Sequence, residues 1–388
     1  MKKILLVYDH LYTGGITTYL LELLGCIDVK KYHVTLLLKG AKDESLNRVP
    51  DGVHVVFLPD IPRWKKAILF TLCGGFFSAF RILSRKILGN KNKPIDGRSV
   101  QKLQLINAKH SSLHTEHYDI AIGADLYWSM YYTALKINAD KKVFWIHPQY
   151  NAVGNNVKTD AKILKCADKV YAVSKKNAEI LKLYFPSYIE KIDYFENIIN
   201  PESIRKRASE GTCVFDKTIF NIVTVCRLDN SSKRVDRCIK CATIMRNQGL
   251  SFAWRIIGDG VDRSYIEDLI TKANLTEHVF LLGEYANPHP FVLNSDAFVL
   301  LSQYEGVPLV VTEAMILGTP VVVSNYESAK AQVQENYGFV VANSDPDTSE
   351  QAAEVLCTIA KLPRRIHYFH SNERSIKKLE LLLEGNDD

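Results

Sequence analysis

Short apolar runs alternate with longer stretches of mixed apolar and polar residues along most of the chain. Runs of this kind, bounded by Gly, Asn, Asp or Pro, read as buried parallel strands, and the stretches between them as helices. In the first half, Ile4–Tyr8, His33–Leu38, Val53–Leu58, Ile120–Gly123, Val143–Ile146 and Lys169–Val173 are predicted strands. Ser174 follows the last and is placed to cap a helix beginning near Lys175. A Pro/Asn-rich joint, FENIINPES, occupies Phe195–Ser203. A second series follows: Phe220–Val225, Phe252–Ile257, Val279–Leu282, Ala297–Leu301, Val321–Val323 and Phe339–Val341. This alternation predicts an α/β fold with parallel sheets. Two such series around one joint predict two Rossmann-like domains facing a central cleft, with ligands at the carboxyl ends of the strands.

Composition changes this picture little. The 388 residues are 47% apolar, enough for two or three domains with substantial cores. No window of about 18 uncharged apolar residues occurs, so no spanning helix is predicted. The start, MKKILLVYDH, mimics a secretory leader, but its apolar run stops at Asp9 and is too short for a signal core. A buried first strand is the better reading. The eight cysteines show no disulfide-like spacing, which fits a reducing cytosol. Cys238 and Cys241 form a C-x2-C pair with no second pair, a poor zinc site. It reads as two residues one turn apart on a helix, with a redox pair as the alternative.

Charge does change the picture. The chain carries a net +6, yet residues 61–95 alone hold eight Lys/Arg (Arg63, Lys65, Lys66, Arg81, Arg85, Lys86, Lys91, Lys93) and no acid. Within this insert an apolar centre, Ala67–Phe80, follows Trp64 and is flanked by cations. Tryptophan and cations suit an anionic membrane interface, and the centre is too short to span. A core helix of the first domain with a solvated basic end is a second reading. Nucleic acid is disfavoured, because the aromatics sit in an apolar block rather than interleaved with basic residues.

The most specific stretch is Leu301–Val323, LSQYEGVPLVVTEAMILGTPVVV. Glu305 ends a strand, Gly306 and Pro308 follow, Glu313 lies eight positions on, and Gly318-Thr319-Pro320 closes a helix. Pro308 suits the first helical position, where a missing N–H costs nothing. The first-turn amides near Leu309 and Val310 are then suited to an anion. Upstream, TVCRLDNSSKRVDR places Arg227 and Lys233 just after a strand. Gly258-Asp259-Gly260 and Gly283-Glu284-Tyr285 follow the next two strands. In the first half, Gly14-Gly15 follows the first strand, and His147 ends a strand in FWIHPQY.

Together these elements resemble the retaining family-4 glycosyltransferases, the glycosyl transferases group 1, with their GT-B fold. The resemblance covers roughly 1–60 and 118–345 and is most specific over 220–345. It implies domains at 1–197 (acceptor side), 198–365 (nucleotide-sugar side) and a tail, 366–388, whose helix Arg374–Glu384 returns to the first domain. It implies that Arg227 and Lys233 neutralise the donor diphosphate; the loop carries one position more than the family's, leaving Lys233 or Arg234 as the second cation. Glu305 would hold hydroxyls of the transferred sugar, and Glu313 those of the ribose. Gly14, Gly15, Gly258, Asp259, Tyr285, Gly306, Leu309 and Val310 would line the donor, and His147 would meet the sugar or acceptor. Catalysis is then expected from Glu305, Arg227, Lys233 and His147, with no metal and no cofactor, since a fixed Arg/Lys pair can do the electrostatic work. The expected donor is a UDP-sugar, ahead of a GDP-sugar, and the expected acceptor a glycan or lipid-linked glycan in cell-surface polysaccharide (capsule or exopolysaccharide) synthesis. The expected place is the cytoplasm, peripherally on the inner membrane face. A nucleotide-sugar 2-epimerase and a non-catalytic assembly subunit are the alternatives.

Overall fold

The computed structural model describes residues 1–11, 14–40, 44–80, 97–211, 213, 215–333, 336–361, 366, 368 and 370–385. The second half of the basic insert, residues 81–96, therefore lies outside the described residues, and with it Arg81, Arg85, Lys86, Lys91 and Lys93. The chain forms two compact units. Among the described residues, the first comprises those up to 199 and 372–385, the second those from 200 to 371.

The first unit is built on strands β1 (Lys2–Tyr8), β2 (Tyr32–Lys39), β3 (His54–Leu58), β4 (His117–Gly123), β5 (Asn138–Ile146), β6 (Lys169–Ala172) and β7 (Ile192–Tyr194). They pair in the order β3-β2-β1-β4-β5-β6-β7, all parallel, with Ile4 opposite Ile120 and Val7 opposite Gly123. Ile4 to Val7 are fully buried. Helices on both faces of a parallel sheet explain why these strands read as unbroken apolar runs rather than alternating ones. The core gathers Trp128, Tyr131, Tyr132 and Phe144 with the sheet residues. The predicted cap is present: Ser174 Oγ accepts from Asn177 N at 3.2 Å at the start of helix Lys175–Tyr184.

The Pro/Asn-rich joint is a helix start. Asn200 Oδ1 accepts from the amides of Glu202 (3.0 Å) and Ser203 (3.2 Å), and Pro201 occupies the first helical position. The second unit then runs through β8 (Phe220–Val225), β9 (Phe252–Ile257), β10 (Val279–Gly283), β11 (Ala297–Leu300), β12 (Val321–Ser324) and β13 (Gly338–Val341). Their order is β10-β9-β8-β11-β12-β13, again parallel, with Trp254 at the heart of the core.

The terminal helix Glu373–Glu384 packs in the first unit. Leu379, Leu382 and Leu383 are buried, Lys378 pairs with Asp193 and donates to Tyr194 O at 2.6 Å, and Lys31 meets Glu384 at 2.6 Å. Among the described residues, no helix is long and apolar enough to cross a membrane. Cys238 and Cys241 lie one turn apart on helix Val235–Asn247, both buried and free, with their thiols pushed up by burial. Neither suits redox exchange, which requires an exposed thiolate.

Candidate functional site

In an open parallel sheet, ligands bind where the strand order reverses, at the carboxyl ends of the two strands that the chain visits in opposite directions. In the second unit these are β8 and β11. The residues following β8 are Cys226-Arg227-Leu228, and those following β11 are Leu301 to Glu305. The topology therefore brings together, at one switch point, the two segments that carry Arg227, Lys233 and Glu305.

The geometry there is specific. Lys233 closes the short helix Asn230–Lys233, which Asp229 caps by accepting from Ser231 N at 3.2 Å. Lys233 Nζ lies 2.6 Å from Glu305 Oε1. Ser302 Oγ donates to the same oxygen at 2.7 Å. Both bonds fall on Oε1, so the lone pairs of Oε2 remain available to a ligand hydroxyl. Arg227 is largely exposed, 3.4 Å from Asp229 Oδ2, a weak contact that leaves its guanidinium available.

Arg234 has another task. Its backbone is left-handed (φ 49°), and its guanidinium grips both oxygens of Asp236 at 2.9 and 3.0 Å and also pairs with Asp345. Arg237 is 1% exposed and donates to Asp345 (2.9 Å), Leu301 O (3.1 Å), Asn343 (2.7 Å) and Gln303 (2.8 Å). Gln303 N donates to Ser232 O at 2.8 Å. This network ties the Glu305 loop to the Lys233 loop. Asp345-Pro346-Asp347 has the Asp-x-Asp spacing of a divalent-cation motif, but its first carboxylate is held by two arginines and Asp347 accepts from Ser344 at 2.9 Å. Among the described residues, no group of three or more His, Cys, Asp and Glu side chains is arranged to hold a metal.

The glycines of the Gly258-Asp259-Gly260 turn shape the Arg227 loop. Gly258 has φ 133°, and a Cβ there would sit 1.9 Å from Cys226 O; one at Gly260 would meet Leu228 O at 2.4 Å. The loops are stitched by Leu228 N to Asp259 O (2.9 Å) and Asp262 N to Leu228 O (3.0 Å). Tyr285 is exposed, its ring edge-on to Phe291 at 4.7 Å. Gly306 O accepts from Ser328 Oγ.

Pro308 differs from expectation. It is the cap of helix Leu309–Ile316 rather than its first residue, with φ −68° and ψ 113°. Its extended ψ lets its carbonyl accept from Val311 N (3.1 Å) and Gln332 Nε2 (2.9 Å). Leu309 and Val310 thus supply the first-turn amides, which have no intrahelical acceptor. Glu313 is the fifth residue, about 6 Å along the helix at 1.5 Å per residue. It is 8% exposed, so it is no ordinary surface acid, and His289 Nε2 stands 3.4 Å from its Oε2.

The first unit has its own switch point, between β1 and β4. Gly14 precedes helix Gly15–Gly25; its φ of 168° is extended backbone, and its carbonyl accepts from Thr18 N at 3.1 Å. Asp9 follows β1 and pairs with Lys39. Asp125 follows β4, where Leu126 N donates to its Oδ1 at 2.7 Å. Burial, with Asp9 opposite, pushes its carboxyl up to about 7. His147, next after β5, is 9% exposed and its Nε2 lies 3.1 Å from Ala124 O. Nε2 therefore carries the proton and Nδ1 is the acceptor. Burial pulls this imidazole down to about 4, so it is neutral at pH 7. Sequence reasoning missed Asp125, Arg237, Ser302 and His289; only adjacency to a strand end could have marked Asp125, and nothing local marks the others.

The amphipathic stretch is equally plain. Helix Arg63–Leu72 buries no residue, which removes the core-helix reading. Trp64, Ile68 and Leu72, four apart on one face, are 63%, 50% and 78% exposed, and Phe76, Phe77 and Phe80 are exposed as well. An exposed apolar helix face of this kind marks an interaction surface.

Residues 214–371 match the glycosyl transferases group 1 family. This stretch is a domain of that family. The chain is 26% identical over 198 residues to the Campylobacter jejuni N-acetylgalactosamine-N,N'-diacetylbacillosaminyl-diphospho-undecaprenol 4-alpha-N-acetylgalactosaminyltransferase, covering 50% of this chain and 52% of the relative. It is 38% identical over 98 residues to an Escherichia coli UDP-Gal:alpha-D-GlcNAc-diphosphoundecaprenol alpha-1,3-galactosyltransferase, covering 24% of each chain. These matches span about half and about a quarter of the relatives' length. The crystal structure of Anabaena HepE with UDP and glucose superposes with a TM-score of 0.64 over 100% of this chain and 96% of that one, at 16% identity. That likeness shows the fold: two Rossmann-like units of the GT-B class.

Proposed function

We propose that the chain is a retaining, metal-independent family-4 glycosyltransferase. It moves a sugar from a nucleotide-sugar donor, a UDP-sugar ahead of a GDP-sugar, to a glycan or lipid-linked glycan in cell-surface polysaccharide synthesis. The observation that carries this reading is the Lys233–Glu305 pair at the β8/β11 switch point, with Glu305 four positions before the helix start at Leu309. Breaking the bond from the anomeric carbon to the diphosphate puts charge on a phosphate oxygen. Arg227, Lys233 and the amides of Leu309 and Val310 are the groups that would stabilise it. Glu305 Oε2 would hold a hydroxyl of the departing sugar while Lys233 fixes Oε1. The acceptor oxygen then bonds the anomeric carbon on the face that the phosphate leaves, and its proton passes to that phosphate. Gly14, Gly15 and the neutral His147 would serve the sugar or acceptor, with Nδ1 accepting a hydroxyl proton. Both named relatives act on undecaprenol-diphosphate-linked glycans, which supports a lipid-linked acceptor.

Such an acceptor lives in a membrane, and the exposed face Trp64–Ile68–Leu72 with Arg63, Lys65 and Lys66 would hold the enzyme at an anionic surface. Each cation near such a surface contributes about 1 kcal/mol. Co-sedimentation with phosphatidylglycerol vesicles, absent with neutral ones and lost in Leu72→Glu, tests this; equal binding to both vesicle types overturns it. A thermal-shift panel of nucleotide sugars tests the donor side, because a ligand that binds only the folded state raises Tm. No shift with any UDP- or GDP-sugar would remove the proposal.

A further inference from the structure

Glu313 does not stand alone in its buried site. Helix Leu309–Ile316 packs against the short helix His289–Asn294, whose first residue is 3% exposed. The orientation of the His289 ring is fixed from one side. Asn287 Nδ2 donates to Arg207 O at 2.7 Å, which settles which end of the amide is oxygen. Asn287 Oδ1 then accepts from His289 N (3.3 Å) and lies 2.8 Å from His289 Nδ1. Nδ1 therefore carries a proton and donates. The ring edge on the opposite side, Nε2, has no hydrogen-bond partner among the described residues and lies 3.4 Å from Glu313 Oε2. A buried polar atom without a partner is costly, and such atoms are uncommon in folded proteins. Here it abuts the carboxylate assigned to the nucleotide.

We infer that His289 is a positioning residue: braced by Asn287 and the Arg207 carbonyl, its ring sets the carboxylate of Glu313 so that its oxygens accept from the ribose hydroxyls of the nucleotide. This rests on the reading of Glu313 as the ribose acceptor. Glu313 sits on a helix whose backbone is fixed by the Pro308 cap, but its side chain has three rotatable bonds. With its proton on Nδ1, the neutral ring turns the Nε2 lone pair towards Oε2, so the contact acts by repulsion and bulk: it excludes the rotamers that bring the carboxylate onto the ring before the nucleotide arrives, which raises affinity without a new contact to the ligand. The ring touches no substrate atom in this account. Its effect is confined to the two ribose hydroxyls.

The test compares UDP with 2',3'-dideoxy-UDP by calorimetry in the wild type, Glu313→Ala, His289→Ala and His289→Gln, with Tm recorded for each. Glu313→Ala abolishes the preference for UDP. His289→Ala lowers UDP affinity about tenfold, about 1.4 kcal/mol, and leaves dideoxy-UDP affinity unchanged; in turnover the donor KM rises while kcat holds. His289→Gln, which can place a polar edge in the same space, restores much of the preference. Loss of affinity for both nucleotides alike in folded His289→Ala and His289→Gln would show general structural damage and overturn the inference. So would an unchanged preference in His289→Ala alongside a lost one in Glu313→Ala. A preference that survives Glu313→Ala overturns the reading of Glu313 itself, and the inference with it.

Discussion

At the first unit's switch point, two titrating groups face opposite ways in pH, and replacing either one unmasks the other. Burial pushes the Asp125 carboxyl up to about 7, against about 3.9 in an unfolded chain. Below pH about 4 it is protonated in both states. As pH rises towards 7 the unfolded chain loses this proton while the fold retains it, so stability falls, then levels off. Three pKa units correspond to about 4 kcal/mol. The carboxyl lies deep among protein atoms yet keeps a partly open face, so about half that is expected. His147, pulled down to about 4 by burial from about 6.5, behaves in the reverse sense. Its neutral form is stable above pH about 6.5, and stability is lost as pH falls towards 4, by about 3 kcal/mol. The two slopes overlap and oppose.

Asp125→Asn, which keeps the acceptor for Leu126 N, is therefore neutral near pH 4 and stabilising by about 2 kcal/mol above pH 7. His147→Gln gains on the wild type by about 3 kcal/mol as pH falls from 7 to 4. Urea unfolding at half-unit pH steps, followed by the fluorescence of the buried Trp128 and Trp145 of this unit, measures both differences. A stability difference between wild type and Asp125→Asn that does not change between pH 4 and 7 would refute the burial argument.

Two further outcomes follow from the second unit. Gly258→Ala sets a Cβ against Cys226 O in a left-handed backbone; a loss of several kcal/mol in unfolding free energy and weaker nucleotide binding are expected, and a neutral substitution would contradict the loop-stitching role. Arg237→Met removes the buried donor to Leu301 O and Asn343 Oδ1 and leaves Asp345 and Gln303 to Arg234 alone; unsatisfied buried acceptors cost about 1–3 kcal/mol each, and a Tm within error of wild type would contradict the network.

Much of the architecture was written in the apolar runs. The strand limits at Phe220–Val225 and Phe252–Ile257 were read as they stand, because two-sided burial leaves an unbroken apolar string. Strand Ile192–Tyr194 was missed, since Ile-Asp-Tyr at a sheet edge carries no apolar run. The choice between Lys233 and Arg234 could not be read locally. It depends on Asp345, 111 positions away, which pairs with Arg234 and leaves Lys233 to Glu305. Pro308 was placed one position too far into its helix, because the sequence does not show that its carbonyl caps the first turn. Asp125 became visible only once β1 and β4 were neighbours at a reversal of strand order. The Glu313–His289 contact likewise joins two helices that no periodicity links.

We propose that Lys233 and Glu305 form the donor-side reaction centre. Single-turnover transfer from a UDP-sugar, in EDTA, with wild type and Glu305→Ala at saturating donor, tests it most directly. The expected outcome is transfer with retention of anomeric configuration in the wild type and a rate at least about tenfold lower in the variant, about 1.4 kcal/mol of transition-state stabilisation, at unchanged UDP affinity. Transfer that requires added manganese, or a Glu305→Ala rate within a few-fold of wild type, would contradict it.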